Sequence, residues 1–284
     1  TWEELQQFTT VGSPFSIPKA AVALAGFLPR FCSRSYSSLE AQLKEFGSGF
    51  EVTLLSAIPA GSGLGTSSIL AATVLGALND FCGLAWDKND ICQQSLILEQ
   101  LLTTGGGWQD QVGGLTEGIK LISTKPGIAQ NLVVEKIEMP EEGKKELKER
   151  FALIYTGQRR LARNLLRDVV GGYIGSRPES LKALKEMKAI AVLMRFALEQ
   201  GDIDEFAELL NQHWKLSCML DAGTTNTCID QILLVCEDLI DGKFISGAGG
   251  GGFIQVILKK QLHERLHGVF QDSGVDVWDC ELLV

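Results

Sequence analysis

The chain has 284 residues, 45% of them apolar and 21% charged, which is enough for one large folded domain or two moderate ones. Its 26 Lys and Arg stand against 35 Asp and Glu, a net charge of −9 that leaves no basic footprint for a nucleic acid. No apolar run reaches the ~20 residues of a membrane-spanning helix, and seven cysteines without a Cys-x-x-Cys pair or a signal-peptide pattern read as reduced thiols of a cytoplasmic protein.

In chain order, "TWEELQQF" reads as the interior of a helix, so the chain is expected to be a piece of something longer. Helical periodicity covers Phe15 to Leu28 and Ser38 to Phe46. Residues 50–58, "FEVTLLSAI", have the β-branched content of a strand. The helix predicted next, Ser67 to Phe81, carries Leu70, Val74, Ala77, Leu78 and Phe81 on one face expected to be buried. Asp87 followed by Asp90 forms an acidic variant of a capping box for a helix through "ICQQSLILEQLLTT" that ends at Gly105, Gly106 and Gly107. Strands are expected in "GIKLIST" and "NLVVEKIEM", and the charged "PEEGKKELKER" is the best candidate for a domain boundary, dividing 1–147 from 148–284. Beyond it come the strand "FALIYTG" and helices over Arg160 to Val170, Pro178 to Gln200 and Asp202 to Leu220. A glycine tract then leads into "FIQVILKK", and a helix over Gln261 to Gln271 precedes a last strand in "VDVWDCELL". Strands and helices mix without regular βαβ spacing, which predicts an α+β fold.

The stretch "IPAGSGLGTSSILAATVLGAL" carries the chemistry. Gly61, Ser62, Gly63 and Gly65 allow a tight turn, and Thr66, Ser67 and Ser68 stand where a helix begins and its open amides need partners. Bare amides and hydroxyls at a helix N-terminus suit a phosphate; a glycine-rich turn before a capped core helix is the other reading. Counted against known templates, the loop lacks the lysine of a Walker A, and Thr66 replaces the third glycine of the dinucleotide-binding and protein-kinase loops. Two acidic residues follow. Glu99 sits among leucines in "LILEQLL", where a buried charge needs a cation or strong donors. Asp110 projects from the glycine-rich "TTGGGWQDQVGG". If Ser67, Glu99 and Asp110 converge, a hydroxyl and a carboxylate suit Mg²⁺ and the second carboxylate suits an acceptor hydroxyl. A salt-bridged core glutamate and a turn aspartate are the structural alternatives. The three histidines are His213, His263 and His267. The last two, four apart in "LHERLHGVF", read as a solvated helix face with no third metal ligand evident.

Pro59-Ala60-Gly61-Ser62-Gly63-Leu64-Gly65-Thr66-Ser67-Ser68 matches the phosphate motif P-x-x-x-G-L-G-[ST]-S-[AS] of the GHMP kinases, the superfamily of galactokinase, homoserine kinase and mevalonate kinase, which the sequence resembles. The glycine-rich Ser246-Gly247-Ala248-Gly249-Gly250-Gly251-Gly252-Phe253 matches that family's C-terminal motif, and its helix glutamate and loop aspartate fall at Glu99 and Asp110. Within the superfamily, "GSGLGTSSILA" with "LEQLLTTGGGWQDQ" is most similar to the kinase region of the L-fucokinases, the heptose kinases coming second. The resemblance implies an N-terminal domain like part of ribosomal protein S5 and a ferredoxin-like C-terminal domain, with ATP between them. It implies that Pro59 and Gly61 to Ser68, with Gly247, Gly249 and Gly250, bind the nucleotide, that Ser67 and Glu99 hold Mg²⁺, and that Asp110 is catalytic. The implied reaction moves the γ-phosphate of ATP to the anomeric hydroxyl of L-fucose, giving fucose 1-phosphate. A catalytically silent nucleotide-binding fragment, or a heptose- or galactose-type kinase, is the alternative.

The family's first motif, with an early strand and sugar-contacting residues, has no counterpart between Thr1 and Gly49. A fragment or short isoform of a longer kinase is therefore expected, with a sheet edge left open. Arg159, Arg160 and Arg163 could contact phosphate or sugar or be a solvated helix face, and Trp108 could stack on a sugar or anchor its loop. His213 and Trp214 read as packing.

Overall fold

The structure is a computed structural model. It describes the chain apart from residues 11, 12, 14, 60, 103–106, 128–130, 159–162, 248, 261, 281, 283 and 284, and apart from the side chains of 163–168. Its contacts divide it into two units, Thr1–Pro59 with Gly65–Thr116, and Ala60–Leu64 with Glu117–Val284. The architecture is α+β, as the sequence predicts.

The first unit is helical among its described residues: α1 (Trp2–Gln6), α2 (Ser16–Val22), α3 (Leu39–Phe46), α4 (Thr66–Cys82), α5 (Lys88–Leu101) and α6 (Gln109–Leu115). Thr1 and Glu4 form a capping box at α1. A π-turn, Ala23–Phe27, extends α2, and Gly26 at φ 99° ends it. The capping box predicted for α5 is present, with Asp90 N–H donating to Asp87 Oδ1 (2.8 Å) and Asp87 N–H to Asp90 Oδ2 (3.0 Å). Leu24, Phe27, Leu28, Val74, Leu75, Leu78 and Leu98 share one apolar core.

Two expectations fail here. The buried face of α4 carries Ala71, Ala72, Val74, Leu75 and Leu78, whereas Phe81 is exposed, because the core shared with α2 and α5 lies against that face. Residues 50–58 form no strand. A strand is held by its ladder, no described segment pairs with this one, and Val52, Leu54, Ile58 and above all Leu55 (93%) are exposed.

In the second unit β1 (Lys120–Thr124) and β2 (Leu132–Lys136) make an antiparallel hairpin. Then come α7 (Glu141–Arg150), β3 (Phe151–Tyr155), α8 (Arg163–Ile174), α9 (Pro178–Gln200), α10 (Ile203–Leu220), α11 (Thr227–Val235), β4 (Ile240–Ile245), β5 (Phe253–Leu258), α12 (His263–Phe270) and β6 (Asp276–Trp278). The sheet order β4-β5-β3-β6, antiparallel throughout, with helices after β3 and after β5, is the ferredoxin-like pattern. Ile154, Ile229, Ile232, Leu258 and Leu266 pack one core there. Ile137, Met139, Leu198, Ile203 and Ile257 pack another, which partly buried Leu121 of β1 joins. The hairpin shares this core with α9 and α10. The charged 140–150 stretch forms Pro140 and helix α7, whose last residue, Arg150, is 1% exposed.

Candidate functional site

In the first unit the helix start is built by Gly65, the N-cap of α4, at φ 68° and with no side-chain cap. Thr66, Ser67 and Ser68 thus occupy the first turn rather than the N-cap position, where Gly65 has no side chain to close the N-terminus, the positive end of the helix dipole. Ser67 is exposed and Ser68 is 3% exposed. The Ser68 hydroxyl, not that of Ser67, donates to the Glu99 carboxylate, itself 5% exposed on α5. A buried carboxylate is tolerated when strong donors meet it, which explains why a glutamate survives among leucines. Ser68→Ala removes that donor and should destabilise the protein by about 1–3 kcal/mol, read as a lower urea midpoint with an unchanged m-value.

Asp110 stands not in a loop but in the first turn of α6. A Cβ added to Gly65 would lie 3.0 Å from both Cβ and Cγ of Asp110, so only glycine admits this side chain so close to the start of α4. Burial raises the Asp110 pKa, although its outer edge is exposed, so hydration is lost from one side only. Farther along α6, Gly114 lets the helix rest on Ile69 of α4. Gly65, Ser68, Glu99 and Asp110 are therefore gathered around one helix start. Trp108, half-buried, is the N-cap residue of α6.

In the second unit the residues just before Gly65 meet the C-terminal glycine tract. Gly63, at φ 78°, lies so close to the Ser246 carbonyl that an added Cβ would overlap it, and Gly247 faces Gly63 in turn. Phe253 N–H donates to the Ser62 carbonyl (2.9 Å), and Ser62 is fully buried. Gly249 and Gly250 are buried against Thr224, whose carbonyl accepts from Gly250 N–H (2.7 Å). Pro59 is half-buried, Gly61 exposed and Leu64 half-buried, the Leu64 N–H donating to Ser62 Oγ (3.3 Å). Gly63→Ala should cost about 1–2 kcal/mol for the left-handed backbone and roughly 1–3 more for the overlap, read as a lower melting temperature.

Sequence reasoning missed what holds the tract. Asn226 caps α11 by accepting from Cys228 N–H (3.0 Å) and Ile229 N–H (3.2 Å). Its amide donates to the Gly250 carbonyl and to Gln158 Oε1, both at 3.1 Å. Thr156 Oγ1 donates to the Gly252 carbonyl (2.9 Å). An N-cap signal was legible in "TTNTCID"; its second duty was not, because it depends on residues far away in the chain.

Arg159 and Arg160 lie outside the described residues, as does the side chain of Arg163. His213 is packing, edge-on to Phe244 at 5.0 Å, its pKa lowered by burial, and Trp214 is core. His263 and His267 are not simply solvated, since both face Asp279 (3.5 and 3.1 Å). Among the described residues no group of three His, Cys, Asp or Glu could hold a metal ion, and no helix is long and apolar enough to cross a membrane. Serine hydroxyls and one glutamate still fit Mg²⁺, which takes one or two protein oxygens when phosphates and waters supply the rest.

The chain matches the family models "GHMP kinases N terminal domain" over residues 30–118 and "GHMP kinases C terminal" over 194–267. It belongs to the GHMP kinases. It is 51% identical over 259 residues to the L-fucokinase/L-fucose-1-P guanylyltransferase of Bacteroides fragilis and 34% identical over 261 residues to the bifunctional fucokinase/GDP-fucose pyrophosphorylase of Arabidopsis thaliana. These matches take in 91% and 90% of this chain but 27% and 24% of those proteins, so the chain spans about a quarter of their length. The solved mevalonate kinase of Methanococcus jannaschii shares the fold, with a TM-score of 0.65 at 17% identity over 96% of this chain and 78% of that one.

Proposed function

We propose that the chain carries the catalytic machinery of a sugar kinase that moves the γ-phosphate of ATP to the anomeric hydroxyl of L-fucose. The observation that carries this reading is the placement of Asp110 against Gly65, at the uncapped start of α4, one turn from the buried Ser68–Glu99 pair. The amides that open α4 and the dipole of that helix hold phosphate oxygens, while Gly247, Gly249 and Gly250 act by the close packing of their backbone on Gly63 and Thr224. Ser67 and Glu99 are the ligands for Mg²⁺, whose part is to neutralise charge on the transferred group. Asp110 orients the acceptor hydroxyl and takes its proton as that oxygen forms its bond to the γ-phosphorus and ADP departs. The identity to two proteins named as fucokinases favours L-fucose over other acceptors.

The test is ADP release by the 284-residue chain with ATP and Mg²⁺, offered L-fucose, D-galactose or a heptose phosphate in turn. Stimulation greatest with L-fucose supports the reading. Preference for another acceptor moves the substrate, and no stimulation by any of them, from a chain that binds ATP and shows a folded circular-dichroism spectrum, leaves a silent nucleotide-binding module.

A further inference from the structure

Gln111 follows Asp110 in α6, is 1% exposed, and neither its amide nitrogen nor its amide oxygen has a hydrogen-bond partner among the described residues. Buried polar side chains almost always find partners, and one left unmet opposes folding. An apolar side chain of equal length would fill the same space more stably, so packing gives no reason for an amide here. The helix around it is otherwise fixed: Val112 is core, Gly114 rests on Ile69, and the Gln111 carbonyl accepts weakly from Cys92 Sγ of α5 (3.9 Å). The unmet amide thus belongs to a helix that packs on both α4 and α5 and stands one residue after the Asp110 that faces Gly65.

We propose that Gln111 is a positioning residue for Asp110, its amide taking a hydrogen bond only when a polyhydroxylated acceptor loads the site. An amide both donates and accepts, which suits a hydroxyl or a water brought in with a sugar and suits a phosphate less well. The gain of that bond draws on the first turn of α6 and fixes the Asp110 carboxylate, so acceptor binding and base alignment are coupled. This rests on the sugar-kinase reading above.

The experiment compares wild type with Gln111→Met, close in length and apolar, and with Gln111→Leu as a second apolar variant. Thermal melts are run alone, with ATP and Mg²⁺, and with L-fucose added, alongside steady-state ADP release. The expected result is a melting temperature without ligand raised by about 2–4 °C and a melting increment from L-fucose that disappears. kcat should fall at least about tenfold while KM for ATP stays unchanged, a split that loss of general stability does not produce. A lower melting temperature in both variants would mean that the amide is satisfied structurally and would overturn the proposal. So would variants that keep the wild-type sugar increment and kcat. Absence of any sugar response in wild type would instead overturn the kinase reading, and the proposal with it.

Discussion

Asp110→Asn should lower turnover roughly 10²- to 10⁴-fold, the usual range for loss of a positioned general base, with the affinity for ATP nearly unchanged. The reason is geometric. Asparagine keeps the shape that packs against Gly65, so the start of α4 and its hold on phosphate survive, but the amide takes no proton from the acceptor. The loss belongs to the transition state and falls on kcat and kcat/KM together. The pH dependence follows with its sign. Burial disfavours the charged form of Asp110 and raises its pKa above the ordinary aspartate value. Activity needs the ionised form, so it falls as pH drops through that raised value. The acid limb of the kcat/KM profile should lie above the ordinary aspartate range and be missing from the residual activity of Asp110→Asn. An acid limb that persists unchanged in the variant would assign the base to another residue.

The largest effect on stability is expected far from that helix, at Arg150. This guanidinium, 1% exposed, donates from Nε to the Leu258 carbonyl and from its two terminal nitrogens to Glu146, Asp204 and Asp241, all at 2.7 Å. Burial works against its charge, but the hydrogen bonds to Asp204 and Glu146 outweigh it and its pKa is raised. One side chain thus ties the end of α7 to α10, β4 and the end of β5. Arg150→Met leaves the Leu258 carbonyl and three partly exposed carboxylates without their shared donor, and removing one member of a buried ion pair costs about 3–5 kcal/mol. Water reaches Asp204 readily, its side chain being 78% exposed, which places the loss toward the lower end. Urea unfolding should show it as a reduced midpoint. A loss below about 1 kcal/mol would show a pair behaving like an exposed surface bridge.

Local signals in the sequence were read well. The Asp87–Asp90 box, the span of α9 from Pro178 to Gln200 and the strands in "FALIYTG" and "VDVWDCELL" follow from patterns within a few residues, whereas β4 was not read. Residues 50–58 were misread because strand composition says nothing about whether a neighbour completes the ladder. The charge of 140–150 likewise gave no sign that Arg150 anchors this helix through partners as distant as Leu258. At the site, the fold turns Ser68 rather than its exposed neighbour Ser67 toward Glu99, because helical phase decides which of two adjacent hydroxyls faces inward. Gln111, which flanks Asp110 and reads in the sequence as projecting with it, is instead buried, and its unmet amide is visible only once everything around it is placed.

The most direct measurement is a crystal structure of the chain with Mg²⁺ and a non-hydrolysable ATP analogue. The account predicts the ion about 2.0–2.1 Å from a Glu99 carboxylate oxygen and from the Ser67 hydroxyl, the phosphates on the amides that open α4, and the Asp110 carboxylate facing the γ-phosphate. An ion and phosphates bound away from the start of α4, with Glu99 touching neither, would contradict it.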